Sequence, residues 1–580
     1  MTHSQLITIR NEAAGNPLCD RALAILIDRI QARCPAQVTA GAADVEIVLV
    51  VDTSLPLEAY CIADVGQAIR IAGGSSLGLL YGIGKFLRTS GYADGFSPSL
   101  WRGTSAPQGV IRGMYYASHF HNWYHNACEA EIVHYTEDLA LWGVNAVMAI
   151  FPAINLQGWN DPETAPALEM LRRYARAARG LGMQFATAVG NTWFRGTQAH
   201  LLATPLPDPT GRHGNSGFPV CPSDPEGHAL ILSNARRIYR ELADVGLDLL
   251  VHWPYDEGGC ACEKCQPWGS NGYVKLSRDL SLLAREYFPS VKTVLSTWGF
   301  DTPPEGEWEG LARELAEGND WLDFILADAH EDYPAYLLQH GVPGGLPLIN
   351  FPEISMWGLY PWGGFGATVL PRRLQRLWSQ VKGIVRGGFP YSEGIYEDLN
   401  KAVVAQFYWD KERTAEETLR EYIAYEYAPE VTEEVLRLIG LIETSHTHRA
   451  LMDARRHLER ARSSGAPLET IRETEHVIEL IETDLGANAQ QPDAGQAAAE
   501  EARRLAVAID IRLPGWAAEG WRWRILYLRT VLEPLRNVPD GLKTPAALAA
   551  LRELIELFHA RPVDDGSDPF HVRVRPPLDS

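Results

Sequence analysis

Residues 247–268 read LDLLVHWPYDEGGCACEKCQPW. An apolar run of strand length breaks at an adjacent acidic pair, Asp256-Glu257, and three cysteines follow at once. Runs of this kind, apolar throughout rather than alternating, suit strands buried on both faces of a parallel sheet. Seven more occur along the chain: IRGMYYAS (111–118), NAVMAIFPA (145–153), MQFATAVGN (183–191), KTVLSTWGF (292–300), DFILADAH (323–330), LPLINFPEI (346–354) and GIVRGGFPY (383–391). Amphipathic stretches separate them. Between the fourth and fifth runs, Leu276, Leu280, Leu283 and Tyr287 fall on one helical face. Eight β-then-α units over roughly 300 residues predict a (β/α)₈ barrel of the TIM type.

Working outward, the sequence divides into an N-terminal α/β segment (1–105), the barrel (106–412) and a helix-rich C-terminal segment (413–580). The overall class is α/β. In the last segment, GANAQQPDAGQAAAEEA (486–502) is small and polar and reads as a loop leading into another helix. WAAEGWRWRILYLRTVLEPL reads as a buried helix that packs on the barrel or on another subunit, so a homo-oligomer stays open.

The 580 residues are 46% hydrophobic and 22% charged, an ordinary globular balance, and the formal net charge is -21. Nucleic acids and anionic membranes reward basic surfaces, so neither is an expected partner. No run approaches the length of a membrane span, and the opening residues show no secretory pattern, so a cytoplasmic protein is the expectation.

Active sites of barrels sit at the C-terminal ends of the strands. Those ends carry His119 and His121, Asn191 and Trp193, Tyr255, Asp256 and Glu257, Trp298, Asp328 and His330, Glu353, and Tyr391 and Glu393. Aromatic rings stack on the apolar faces of sugars, while carboxylates and imidazoles bind hydroxyls. The rim therefore suggests a carbohydrate pocket. Trp142, Trp321, Trp378 and Trp409 lie in or near helices and read as core.

The first segment points the same way. EAYCIADVGQAIRIAGGSSLGLLYGIGKFLR, through Glu58, Tyr60, Ile62, Ile69, Ile71, Gly74, Gly78, Tyr81 and Gly82, resembles the small domain preceding the barrel in family 20 β-hexosaminidases and family 67 α-glucuronidases. The resemblance implies a glycoside hydrolase acting on terminal sugars. In the hexosaminidases an Asp-Glu pair ends the fourth strand, with the Glu as general acid and the Asp orienting the substrate's acetamido group. Asp256-Glu257 stands in the corresponding place. In the glucuronidases the base carboxylates come from later strands, where Glu393 is the better candidate and Glu353, Asp328 and Asp398 are its rivals. A uronidase would need a rim cation, and Lys264 and Lys401 are the nearest by sequence.

The acid of such an enzyme protonates the leaving oxygen, and a second group handles the anomeric carbon. Glu257 is the expected acid. Asp256 either polarises a substrate group or caps the turn beginning at Gly258.

The cysteine cluster belongs to neither family's pattern. C-x-C-x-x-C supplies three soft ligands, and Cys221, in the insertion after the third strand, can approach from the neighbouring unit. With Cys260, Cys262 and Cys265 it would complete a Cys₄ structural zinc site. Reduced buried thiols or a disulfide are the alternatives. Catalysis itself needs no cofactor on this reading. Two other readings remain: a barrel enzyme holding one catalytic ion on His119, His121, Asp328 and His330, and a sugar-binding protein without activity.

Overall fold

The structure, a computed structural model, describes residues 6–41, 43–93, 95–120, 122–205, 218–254, 259–301, 305–328, 332–355, 368–466, 468–491, 493–532 and 544–557. Of the residues singled out above, His121, Tyr255, Asp256, Glu257 and His330 lie outside this set.

Strands β1 (Leu6–Asn11), β2 (Gln37–Val38), β3 (Val45–Val51), β4 (Tyr60–Val65), β5 (Ala68–Gly73) and β6 (Gly103–Ser105) form one sheet in the order β2-β1-β3-β5-β4-β6. Helices Pro17–Gln31 and Ser76–Arg88 complete the small N-terminal domain. The glycines of the second helix have a steric reason. A methyl group on Gly78 would meet the Ala59 carbonyl oxygen at 2.6 Å, and one on Gly82 would meet Ile71 at 2.9 Å. Small residues let this helix lie directly on β4 and β5.

The other residues of that motif hold the domain to the barrel. Arg112, fully buried, donates to Glu58 (3.1 Å), the Tyr81 hydroxyl (3.1 Å) and the carbonyls of Gly143 (2.7 Å) and Gly109 (2.8 Å). A guanidinium withdrawn from water requires this many acceptors. Tyr81 in turn donates to the Val144 carbonyl at 3.1 Å.

Eight parallel strands close the barrel as expected. They are β7 (Ile111–Tyr116), β8 (Ala146–Ile150), β9 (Gln184–Val189), β12 (Leu249–His252), β13 (Lys292–Ser296), β14 (Phe324–Asp328), β15 (Leu348–Phe351) and β16 (Val385–Gly388), with a small antiparallel pair, β10 (Thr192–Trp193) and β11 (Phe218–Pro219), between β9 and β12. A last short strand, β17 (Tyr391–Ser392), continues the β16 side and pairs with β7 through Tyr391↔Tyr115. Alternate residues fill the interior, among them Met148, Ala186, Val251, Val294, Leu326 and Ile349. Their neighbours pack outward on the helices, as Leu276, Leu280 and Leu283 do from helix Gly272–Tyr287.

The C-terminal region is helical, from Ala415–Glu426 to Pro545–Leu557. The segment expected as a loop at 486–502 shortens: a helix already begins at Ala494, because its alanines and glutamates favour helix over coil. Helix Trp521–Leu532 packs on the barrel. Trp521 lies edge-on to Tyr135 with ring centroids 5.9 Å apart, and Arg522, largely but not fully buried, pairs with Asp138 (2.8 Å) and Asp398 (2.9 Å). Trp142, Trp321, Trp378 and Trp409 are all buried.

Candidate active site at the barrel mouth

The floor of the mouth is aromatic. Tyr115, Trp253, Phe351 and Tyr391, from β7, β12, β15 and β17, project from the strand ends into one cluster, with Trp298 at its edge. Trp253 meets Phe351 at 4.6 Å and stacks beside Trp298 at 5.9 Å, while Tyr115 lies 5.7 Å from Tyr391. Trp298 is only half-buried, so part of its side chain is accessible at the mouth. A sugar's C–H face gains both dispersion and burial on such a surface.

Carboxylates rise from this floor. Glu393 is buried, and its Oε1 accepts the Tyr391 hydroxyl proton at 2.8 Å. The turn holding it is fastened by Glu397, whose Oε1 accepts from the Ser392 hydroxyl (2.5 Å) and from the backbone N–H groups of Glu393 (2.8 Å) and Gly394 (3.0 Å). Glu353, also buried, sits beside Tyr391 through a parallel bridge, and the Tyr391 N–H donates to the Pro352 carbonyl at 3.0 Å. Asp328 ends β14 and is half-buried.

The remaining expected ligand-binding residues are placed as follows. His119 lies in a short turn, buried, with its ring stacked on Tyr115 and its Nδ1 3.4 Å from the Tyr115 hydroxyl. Asn191 is fully buried and donates from Nδ2 to the Val220 carbonyl at 3.3 Å, so its amide ties the β9 loop to β11. Trp193, 3% exposed, walls an apolar cavity of about 60 Å³ together with Thr192, Tyr115 and Trp253. Thr192 Oγ1, Trp193 Nε1 and Asn191 Oδ1 are buried without a hydrogen-bond partner among the described residues.

Two expectations are corrected. Asp398, a rival for the base, faces away from the mouth. It accepts from Tyr135 (2.7 Å), Tyr422 (2.6 Å) and Arg522 (2.9 Å) at the domain junction. Lys401, considered as a rim cation, is 1% exposed and donates to Tyr124 (2.8 Å), Tyr135 (2.7 Å) and the Gly394 carbonyl. Lys264 is exposed beside the cysteines.

The residues missed by sequence reasoning are Trp253, Tyr115, Phe351 and Glu397. Strand alternation would have found the first three: Leu249, Val251 and Trp253 share the inner face, whereas His252 points outward to Ser281 at 2.7 Å. Burial holds His252 neutral, down at about 3, as a packing residue.

The four cysteines come together. The sulfurs of Cys221, Cys260, Cys262 and Cys265 all lie within 4.8 Å of one another, and among the described residues theirs is the one group of three or more potential ligands close enough to share an ion.

A second cavity, about 140 Å³, lies under the N-terminal domain, walled by Tyr60, Trp101 and Trp409. Its cations Lys85, Arg88 and Arg413 are all paired with Glu421.

No family model matches the sequence, and no curated protein matches it. Solved structures do match in fold. A family GH115 4-O-methyl-α-glucuronidase with specificity for decorated arabinogalactans aligns over 99% of this chain and 80% of its own, at 12% identity and a TM-score of 0.53. CpGH84B aligns over 95% of this chain and 92% of its own, at 10% identity and a TM-score of 0.51. The GH20 β-N-acetylhexosaminidase from Streptomyces coelicolor A3(2) aligns over 73% of this chain and 92% of its own, at 14% identity and a TM-score of 0.50. At these identities the likeness is one of fold alone.

Proposed function

We propose that this chain is a glycoside hydrolase that removes terminal sugars from oligosaccharides or glycoconjugates by carboxylate acid/base catalysis. The observation that carries the reading is the buried Tyr391–Glu393 pair standing on the aromatic floor at the C-terminal ends of the strands. The fold shared with enzymes named as glycoside hydrolases supports it. Glu257 supplies the proton to the leaving oxygen, and Asp256 orients the substrate beside it. Glu393 acts at the anomeric carbon, as base or nucleophile, and the Tyr391 hydroxyl fixes its rotamer. Trp298 stacks on the sugar ring. With Lys401 spent inside the protein, one of the two cations considered for a uronate is withdrawn from the rim, which weighs toward an N-acetylhexosamine.

The test is aglycone release from a panel of aryl glycosides that includes N-acetyl-β-hexosaminides and α-glucuronides. The native protein should cleave one class, and Glu257→Gln and Glu393→Gln should each slow it by roughly 10²–10⁴-fold. Cleavage of none of the panel, with sugars still bound, would replace hydrolysis by binding. Equal rates in native protein and both variants would remove these carboxylates from the chemistry.

A further inference from the structure

We infer that Cys221, Cys260, Cys262 and Cys265 form a closed structural zinc site that staples the loop after β9 to the loop after β12. A tetrahedral Zn²⁺ with Zn–S near 2.3 Å sets its sulfurs about 3.8 Å apart along each edge. Here Cys221 lies 3.8 Å from Cys265 and 3.9 Å from Cys262. Those separations are nearly twice a disulfide's S–S bond of about 2.05 Å, and all four thiols are free. They are also too short to enclose a multi-iron cluster, so the cage suits one ion.

The surroundings are built for thiolates. The Thr204 backbone N–H donates to Cys260 Sγ at 3.3 Å. The Ser223 hydroxyl and Cys265 Sγ lie 3.1 Å apart. Such donors spread the charge of metal-bound sulfur and fix each ligand's orientation. The scaffold is equally specific. Antiparallel pairing of β10 with β11 carries Cys221 back across the mouth, and its N–H donates to the Leu201 carbonyl at 3.0 Å. Across the gap, Ala261 N–H donates to the Thr204 carbonyl at 2.9 Å, and the Gln266 side chain donates to the Cys260 carbonyl at 2.9 Å. Gly272 admits the cysteine turn, since a methyl group there would lie 3.0 Å from Cys265 Cβ.

With four protein ligands the ion has no open position, so it binds no substrate and activates no water. Its work is mechanical. Cys260 follows Glu257 by three residues, so the staple anchors the far end of the segment whose near end is β12. That last consequence rests on the proposed role of Glu257, and the metal site does not.

The experiment is elemental analysis of the reduced full-length protein after dialysis against zinc, followed by replacement with Co²⁺. The expected result is one zinc per chain and the strong visible and near-ultraviolet bands of tetrahedral cobalt thiolate. Cys262→Ser should lose both, whereas Cys61→Ser should keep them. Should Cys262→Ser fail to fold, the cobalt spectrum of the native protein still decides. A protein that takes up neither metal overturns the site, as does iron in place of zinc, or titration of only six free thiols of the eight under denaturing, non-reducing conditions. Hydrogen exchange at residues 199–205 and 259–266 should rise on chelation while β7 to β9 stay protected, a readout independent of any glycosidase activity.

Discussion

Glu397→Gln tests how the mouth is held. The native carboxylate is fully buried, and Oε1 alone takes three hydrogen bonds, from the Ser392 hydroxyl and the N–H groups of Glu393 and Gly394. The Lys401 ammonium stands 3.7 Å from the same oxygen, while Oε2 has no hydrogen-bond partner among the described residues. Glutamine keeps the volume and one carbonyl oxygen but removes the charge. Each of the three bonds then weakens from charge-assisted to ordinary, by roughly 1 kcal/mol apiece. The new NH₂ group enters the Oε2 position without an acceptor, which adds about 1–2 kcal/mol. Relief from holding a carboxylate out of water returns roughly 1–2 kcal/mol. The net expectation is a loss of about 3 kcal/mol, read by urea unfolding followed through tryptophan fluorescence. Because the loosened turn carries Glu393, kcat on the glycoside found in the panel should fall about 10–100-fold with KM little changed. A stable variant with native kcat would refute the reasoning, since neither the turn nor Glu393 would then depend on this carboxylate. Lost stability with native kcat would separate the two and remove Glu393 from the chemistry.

Two further outcomes follow from the domain junction. Arg522→Met strips a largely buried guanidinium from Asp138, Asp398 and, at 3.7 Å, Glu426, which should destabilise by about 3–5 kcal/mol. Hydrogen exchange should rise in helix Trp521–Leu532 before it rises in the barrel, and unchanged exchange there would exclude the tie. Lys401 gives a pH signature. Burial, only partly offset by Glu397 and Asp398, pushes it down to about 8 from 10.5. Between these values the unfolded chain holds the extra proton, so stability rises with pH across that window, by about 3 kcal/mol at most. Below pH 8 both states are protonated and this group adds no slope. Lys401→Met should abolish the rise in urea titrations, and superimposable profiles would count against a buried ammonium.

The barrel was legible because parallel strands buried on both faces announce themselves as continuous apolar runs between amphipathic helices. The same property hid the floor of the mouth. Polarity alone does not mark the inward face of the run LDLLVHWPY; the alternation of Leu249, Val251 and Trp253 does, and it puts Trp253 at the head of the inward row. Cys221 could be paired with a cluster about forty residues away only because the barrel order makes the β9 and β12 loops neighbours. Glu397 and Asp398 were indistinguishable in IYEDLN, and their opposite duties arise from the turn of helix that they begin.

That first turn links two parts of the molecule that the sequence shows as separate. Glu397 holds the Glu393 turn at the mouth, and one residue on, Asp398 receives Arg522 from the C-terminal helices. Lys401, one turn later, donates to Gly394 on the mouth side and to Tyr135 on the junction side. Tyr135 itself donates to Asp398, which closes a buried circuit of alternating charge and hydroxyl. Buried networks of this kind are rigid when complete and costly when one member is lost. The helical region therefore does more than cover the barrel's flank: by seating Arg522 it completes the circuit that fixes Glu393. Loss of Arg522 should consequently reach the mouth through Asp398, Lys401 and Gly394, slowing catalysis even under conditions where the barrel itself stays folded.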